Sequence, residues 1–423
     1  MAMYIAIVHY SAPPIIGGVE TVMRAHTELL LSAGHKVVIL AGRGNTFDKR
    51  APLIRMPLLD STHPGILAVG KELAQGVVSE HFVELRSAVE HELRDQLGDA
   101  DVCIVHNAFT LHKNLPLTAA LCNLSADRLV QMVAWCHDVA WTNPQYLPAL
   151  YDGEPWNLLK RPAPGVRYVA VSRDRAGQLA TLWGQDGPPV IQIPNGVDGP
   201  AFLRLGPTAQ RLAERLALWH QDLVLLLPAR LTRRKNIELA IRTTASLVAR
   251  GIKVCLIVTG PPGPHNVTNI HYVRQLDELR RSLAVERQVI LLYLERDAAG
   301  RPMRIGDRVV ADLYALSDAL LFPSKQEGFG IPVLEAALAR MPAFYSDIEP
   351  LRELAGDDTH FFALDSSPQA IADQIEDWMR NDRIYRLRRR VIQRYTWQAV
   401  YVNHIEPLLM EIAQQAKPQL DTK

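Results

Sequence analysis

The feature that most limits the fold of this chain is the alternation, from end to end, of short apolar runs with stretches of helical periodicity. YIAIVHY (4–10) is followed by GGVETVMRAHTELLLSAGH, where Val19, Val22, Met23, His26, Leu29 and Leu30 recur at helical spacing and Gly34 supplies a stop. KVVILAG (36–42), DVCIVHN (101–107), LVQMVAWCHD (129–138) and YVAVS (168–172) continue the series, with a charged helical stretch at about 66–97 between them. Short strands interleaved with helices build parallel sheets covered on both faces.

A turn-rich segment, VIQIPNGVDGPAF (190–202), interrupts the pattern, which then restarts. DLVLLLPARL (222–231), KVCLIVTG (253–260), QVILLYL (288–294) and DALLFPS (318–324) read as strands, and RYTWQAVYVNHIEPLLMEIAQQ as a closing amphipathic helix. Two sheets joined near residue 200 follow, and 423 residues suit two domains of about 200 each. A net charge of +1 gives no basic surface for nucleic acid. Four scattered cysteines, without CxxC spacing, read as reduced thiols, and the N-terminal apolar run suits a strand better than a leader. These readings lead to a cytoplasmic expectation. No run approaches the roughly 18 consecutive apolar residues that cross a membrane.

In open parallel sheets ligands bind beyond the carboxyl ends of the strands, and the unusual residues collect there. IIGGVE (15–20) sets Gly17 and Gly18 after the first strand and at a helix start, where N–H groups meet an anion or simply make a turn. It is not the GxGxxG fingerprint, and the second strand lacks the acid that holds an NAD ribose. PARLTRRKNIE (228–238) places Arg230, Arg233, Arg234 and Lys235 near a helix N-terminus, which already carries positive partial charge. A bound diphosphate explains such crowding; for Arg233 and Arg234 a solvated loop explains it equally. His137 and Asp138 follow one strand, and His106 and Asn107 end another, ahead of His112 and Lys113. Trp141, Tyr146, Tyr151 and Trp156 crowd one segment, as sugar-stacking faces or as anchors of a loop. Finally, KQEGFGIPVLE (325–335) carries Glu327 in a Gly-Phe-Gly turn and Glu335 eight positions on, with Pro332 opening a helix.

In this order, IGGVE, VAVS (169–172), IPNGVD (193–198), ARLTRRKN (229–236), VTGPPG (258–263), SKQEGFGIPVLEA (324–336) and a late YTW resemble the retaining glycosyltransferases of family four. The resemblance spans nearly the whole chain. It implies the GT-B fold: two facing Rossmann-like domains with parallel sheets, a cleft between them, and a C-terminal helix packing back toward the N-terminal domain. The boundaries implied are 1–198 with the helix at about 396–418 for the acceptor side, and 199–395 for the nucleotide-sugar side.

By the same resemblance, Glu327 and the backbone N–H groups of Gly328, Phe329 and Gly330 hold the donor sugar, and Glu335 the ribose. Arg230 and Lys235 clamp the diphosphate, Gly17 and Gly18 add donors to it, and His137 sits by the sugar. No metal or other cofactor is implied, because the cations take that role. VTGPPGPHN (258–266) is expected to line the base pocket. The family pattern departs at Arg340, where relatives keep glycine, and at the long charged segment 295–308.

The expected reaction moves a hexose, glucose or mannose, from a nucleotide diphosphate sugar such as GDP-mannose or UDP-glucose to a hydroxyl acceptor. Residues 1–190 hold 18 acids against 16 Lys and Arg, and 71–97 is net acidic, a poor match to an anionic bilayer. A soluble acceptor, a sugar or small hydroxy acid, is therefore favoured over a membrane-borne one. His106, Asn107, His112, Lys113, Trp141 and Tyr146 are its candidate contacts. Alternatives are a lipid- or polysaccharide-directed transferase of the same fold, an epimerase, a phosphorylase or a sugar-binding module. The sequence assigns no oligomeric state.

Overall fold

A computed structural model describes residues 2–184, 186–262, 268–297, 299–303 and 305–416. The expected base-pocket residues 263–266, positions 298 and 304 of the charged segment, and 417–418 of the closing helix lie outside the described residues. The chain divides into two compact units, Met1–Val197 with Trp397–Lys423, and Asp198–Thr396.

The first unit is built on seven parallel strands: β1 (Tyr4–Ser11), β2 (Lys36–Arg43), β3 (Leu53–Arg55), β4 (Val102–His106), β5 (Gln131–Cys136), β6 (Arg167–Ala170) and β7 (Val190–Gln192). Their spatial order is β3-β2-β1-β4-β5-β6-β7, so the winding reverses between β1 and β4. β1 and β4 are buried almost throughout, as a sheet covered on both faces requires. Ala6, Val8 and Val105 pack with Phe82, Val89, Leu93 and Leu121 of helices on one face. Ile5, Ile7 and Val133 on the other lie in a core with Val400, Ile405, Leu408 and Ile412 of the C-terminal segment, so that segment packs back on the first sheet.

Two stretches differ from their sequence reading. Residues 66–97 form two helices, Pro64–Leu73 and Glu80–Leu97, instead of one. Gly76 at φ +77° turns the chain between them, and Ser79 caps the second by accepting from the Phe82 N–H. The closing helix is likewise broken: Arg383–Tyr395 ends, Trp397–Val400 follows, and a π turn at Tyr401–Ile405 leads into Glu406–Ala416. Pro407 lacks the N–H owed to the carbonyl four residues back, and its ring forces the turn wider.

The second unit repeats the plan with six parallel strands: β8 (Leu223–Leu227), β9 (Val254–Val258), β10 (Val289–Leu291), β11 (Ala319–Phe322), β12 (Ala343–Ser346) and β13 (His360–Phe362). The order is β10-β9-β8-β11-β12-β13, with its reversal between β8 and β11. The buried Asp318 ties that junction. It accepts the Val224 N–H at 2.7 Å and Arg389 Nε at 3.1 Å, while Arg388 donates to the Ala315 and Leu316 carbonyls at 2.8 and 3.0 Å.

Arg340 closes the helix Ile331–Leu338 in the left-handed region, at φ +55°. Its N–H reaches the Ala337 carbonyl at 3.0 Å and the Met341 N–H reaches Ala336 at 2.9 Å, the paired bonds of a Schellman turn. A Cβ is costly there by about 1–2 kcal/mol, partly offset by the greater unfolded entropy of glycine. Arg340→Gly is therefore expected to stabilise the protein by about 0.5–1 kcal/mol in urea denaturation. An unchanged or lower midpoint would contradict this account of the turn.

Candidate active site

The carboxyl ends of β1, β4 and β5 meet at the reversal of the first sheet. The register Val8↔Val105 and His106↔Trp135 brings His9 and His106 side by side, with His137 one residue beyond β5. His106 Nδ1 lies 3.1 Å from His137 Nε2, and the two rings stack with centroids 5.3 Å apart. His9 Nδ1 donates to the His106 carbonyl at 3.1 Å. His26, from the helix Gly18–Ser32, lies against His106 at 5.4 Å, Trp135 at 4.5 Å and Trp397 at 5.5 Å between ring centroids. Burial pushes all four imidazoles below their ordinary range: His26 to about 3 and His137 to about 4, with neighbouring histidines adding to the effect at His26, His106 and His137, and with the His106 carbonyl and Glu20 opposing it at His9.

Asn107 shapes the turn that carries His137. Left-handed at φ +60° and buried, it accepts the N–H groups of His137 at 2.8 Å and Asp138 at 3.1 Å through Oδ1. Its Nδ2 donates to Asp138 Oδ2 at 3.2 Å. Ahead of the first helix, Gly17 is the extended N-cap residue and no side chain caps the helix. Ser11 Oγ donates to Glu20 Oε1 at 2.5 Å, and a Cβ on Gly17 would fall 2.1 Å from Glu20 Oε2. Glycine there lets the carboxylate fold inward. Space beside Gly18 is open.

Among the expected acceptor contacts, His112, Lys113 and Tyr146 form one cluster. The His112 ring lies 4.8 Å from Tyr146, and Lys113 Nζ lies 5.0 Å from the same ring centre. Burial, then Lys113, pushes His112 down to about 4. Trp141 is engaged elsewhere: its Nε1 donates to the Trp156 carbonyl at 3.1 Å and Lys160 Nζ sits 3.7 Å over its ring.

In the second unit the loops after β8 and β11 meet at the reversal. The Lys325 N–H donates to the Arg234 carbonyl at 2.8 Å, which stitches them together. Lys235 Nζ pairs with Glu327 Oε1; their side chains are 10% and 7% exposed. Arg234 Nη1 lies 3.4 Å from Glu327 Oε2, and Lys235 Nζ 4.7 Å from the Phe322 ring centre. Burial lowers the Lys235 pKa against the opposing pull of Glu327. Arg233 is held apart, donating to Gln275 Oε1 at 2.7 Å over the Tyr272 ring. Arg230 is exposed and in no ion pair with a described residue.

Gly330 enters the next helix at φ +112°, where a Cβ would lie 2.3 Å from Leu351 Cδ2. Gly328 has open space beside it, and Phe329 is 54% exposed. Glu335 does not share the Lys235 pair. It is the fifth residue of the helix and accepts the Tyr314 hydroxyl at 2.7 Å. Sequence reasoning thus missed His9 and Tyr314, whose partners are distant in the chain, and the Ser11–Glu20 pair; Arg234, which it left between a diphosphate and a solvated loop, faces Glu327. Among the described residues no group of three His, Cys, Asp or Glu side chains is arranged to hold a metal ion. No helix among them is long and apolar enough to cross a membrane.

Two parallel α/β units, each with polar side chains gathered at its sheet's reversal, define a protein of the two-Rossmann-domain class. Residues 16–199 match the family described as Glycosyltransferase Family 4, and 210–396 that described as Glycosyl transferases group 1. The chain belongs to the family-four glycosyltransferases. It is 26% identical over 282 residues to mannosylglucosylglycerate synthase of Petrotoga mobilis, covering 60% of this chain and 63% of that one. It is 25% identical over 380 residues to the Thermotoga maritima protein of the same name, covering 82% and 83%. The chain thus spans just under two thirds of the Petrotoga relative. Among solved structures, sucrose-phosphate synthase from Thermosynechococcus elongatus aligns over 98% of this chain and 100% of that one, with a TM-score of 0.38 and 16% identity.

The buried histidines make the first unit acid-sensitive. The unfolded chain takes up protons near the ordinary value of about 6.5, whereas folded His26 and His137 resist them to about 3 and about 4. Stability present above pH 6.5 is therefore lost as pH falls through that window, by up to about 1.4 kcal/mol per pH unit for each such histidine. His26→Leu is expected to flatten the pH dependence of urea unfolding by about one proton. An unaltered slope would mean that His26 is not held neutral.

Proposed function

We propose that this chain is a retaining, metal-independent hexosyltransferase. It moves glucose or mannose from a nucleotide diphosphate sugar to a hydroxyl of a small soluble acceptor. The observation that carries the reading is the meeting of Lys235 and Glu327 at the reversal of the second sheet, immediately before the turn Gly328–Gly330. A cation and an acceptor-only carboxylate side by side suit a ligand that is anionic at one end and hydroxylated at the next. The exposed Arg230 and the buried Lys235 take the diphosphate. Glu327 and the N–H groups of Gly328, Phe329 and Gly330 take the hexose hydroxyls, and Glu335 takes the ribose. His137, Gly17 and Gly18 are the first unit's donor ligands.

In the reaction proposed, the acceptor oxygen forms its bond to the anomeric carbon on the face from which the phosphate oxygen departs. The acceptor's proton passes to the leaving phosphate, and configuration is retained. Charge builds on the departing phosphate, so fixed cations that meet it there lower the barrier. Glu327 is not assigned as a nucleophile. Its Oε1 is committed to Lys235 and its Oε2 faces Arg234, which suits holding hydroxyls better than attacking carbon.

For the acceptor, Lys113 and His112 beside Tyr146 offer a cation and a polar ring to an anionic polyol. The name shared by the Petrotoga and Thermotoga relatives contains a glycerate, an acid of that kind, and a mannosyl and a glucosyl unit. The acidic helix Glu80–Leu97 supports a soluble acceptor over one in an anionic bilayer.

A panel of nucleotide sugars tests the donor. One is expected to raise the melting temperature, as a ligand of the native state must, and to release its nucleotide only when an acceptor is added. Stabilisation by none, or release indifferent to every acceptor, would count against transfer. Lys235→Ala is expected to lower turnover about a hundredfold or more. It also leaves Glu327 buried beside Arg234 alone, so turnover is to be read on the fraction shown by its melting curve to be folded. Near-normal turnover in that fraction removes the clamp.

A further inference from the structure

We propose that His106 is a positioning residue that fixes His137 as an uncharged imidazole with its proton on Nδ1, so that His137 offers the donor sugar an N–H rather than a base. The role of His137 at the sugar rests on the function proposed above; the hydrogen bond itself does not.

His106 is fully buried at the carboxyl end of β4, its Nδ1 3.1 Å from His137 Nε2. Two neutral imidazoles bond only when one facing nitrogen carries a proton and the other a lone pair. The far nitrogen of His106, Nε2, is buried and without a partner. Were the proton on His137 Nε2, His106 would have to carry its own on Nε2, as a buried N–H donating to nothing. Leaving a buried N–H without an acceptor costs stability. Donation from His106 Nδ1 leaves a bare lone pair in that place instead. His137 then accepts at Nε2 and carries its proton on Nδ1, a nitrogen with no partner among the described residues and not among the buried unpartnered atoms. The hydrogen bond at one ring nitrogen thus decides what the other presents.

The surroundings keep the pair neutral. His106 faces His9 from β1, His26 from the first helix and His137 beyond β5, and no carboxylate contributes to the field it feels. Glu20, bonded to Ser11, acts on His9, and Asp138 is bonded to Asn107. Neutrality has a chemical use. The sugar becomes positive as the phosphate leaves, and an imidazolium beside it would oppose that charge. An uncharged Nδ1–H holds a hydroxyl without that penalty.

Nitrogen-15 NMR of the wild-type protein reads the tautomer directly. His137 is expected as the Nδ1–H form between pH 6 and 8; the Nε2–H form overturns the proposal. His106→Leu is expected to let His137 revert toward Nε2–H and to lower kcat about tenfold, the worth of one neutral hydrogen bond, with KM for the nucleotide sugar little changed. His106→Asn, whose Nδ2–H stands where the imidazole Nδ1–H stood, is expected to recover most of that kcat. Equal loss in both variants, or full activity in the Leu variant while His137→Ala is inactive, refutes the positioning role. Full activity in His137→Ala instead defeats the placing of His137 at the sugar, and the wild-type tautomer still judges the bond. Should the Leu variant not fold, the wild-type spectrum decides.

Discussion

The contact on which the candidate site depends is the one between Lys235 and Glu327. Neither side chain is stable alone where it lies. A lysine pressed against Phe322 loses solvation, and so does a carboxylate that is 7% exposed; each is tolerated because the other is there. The pair also fixes two loops, since the Lys325 N–H and the Arg234 carbonyl join the same segments through the backbone. A donor diphosphate entering here would find a cation already desolvated and already held in place. In the reaction proposed, the reorganisation that water would demand is met beforehand by the fold.

That contact exists because of sheet topology. β8 and β11 are neighbours in space but 91 residues separate Leu227 from Ala319 in the chain, so the loops that follow them meet only after a crossover. The same holds for His106 and His137, which leave the adjacent strands β4 and β5. Parallel sheets deliver such pairs because every strand ends on the same edge, and the reversal of winding leaves a gap there. The fold and the site are in this sense one constraint.

Much of this was legible in the sequence, and the limits have physical causes. Long, fully buried strands such as β1, β4, β8 and β9 announce themselves as apolar runs. β3, β12 and β13 went unread because LIR, AFYS and HFF are short and, unlike the equally short β10 and β11, do not sit in a longer aliphatic run. The helix expected at 66–97 failed because apolar spacing persists across Gly76, whose positive φ ends the first helix. At the site, chemistry-bearing residues were visible wherever a motif gathers them along the chain. Partners set by the tertiary fold were not: nothing in the sequence ties Ser11 to Glu20 or Tyr314 to Glu335. His9 and His26 looked like ordinary members of a strand and a helix, and only the register shows that they share a wall with His106.

The two acids of KQEGFGIPVLE illustrate how one motif yields two environments. Glu327 precedes a turn that only glycine can make, because Gly330 sits at φ +112° with Leu351 where a Cβ would be. The turn draws Glu327 down onto Lys235. Glu335 comes after the turn, on a helix begun by Ile331 and Pro332, and there the chain has rotated outward. Its carboxylate is solvated on one side and steadied on the other by the Tyr314 hydroxyl, whose own ionisation it opposes. A buried, ion-paired carboxylate holds its ligand by exclusion of water, whereas an exposed one competes with water for every hydroxyl. In the reaction proposed, the first therefore selects geometry near the reacting carbon, and the second supplies an anchoring contact farther along the ligand. Eight residues of spacing suffice for that division only because a left-handed glycine stands between them.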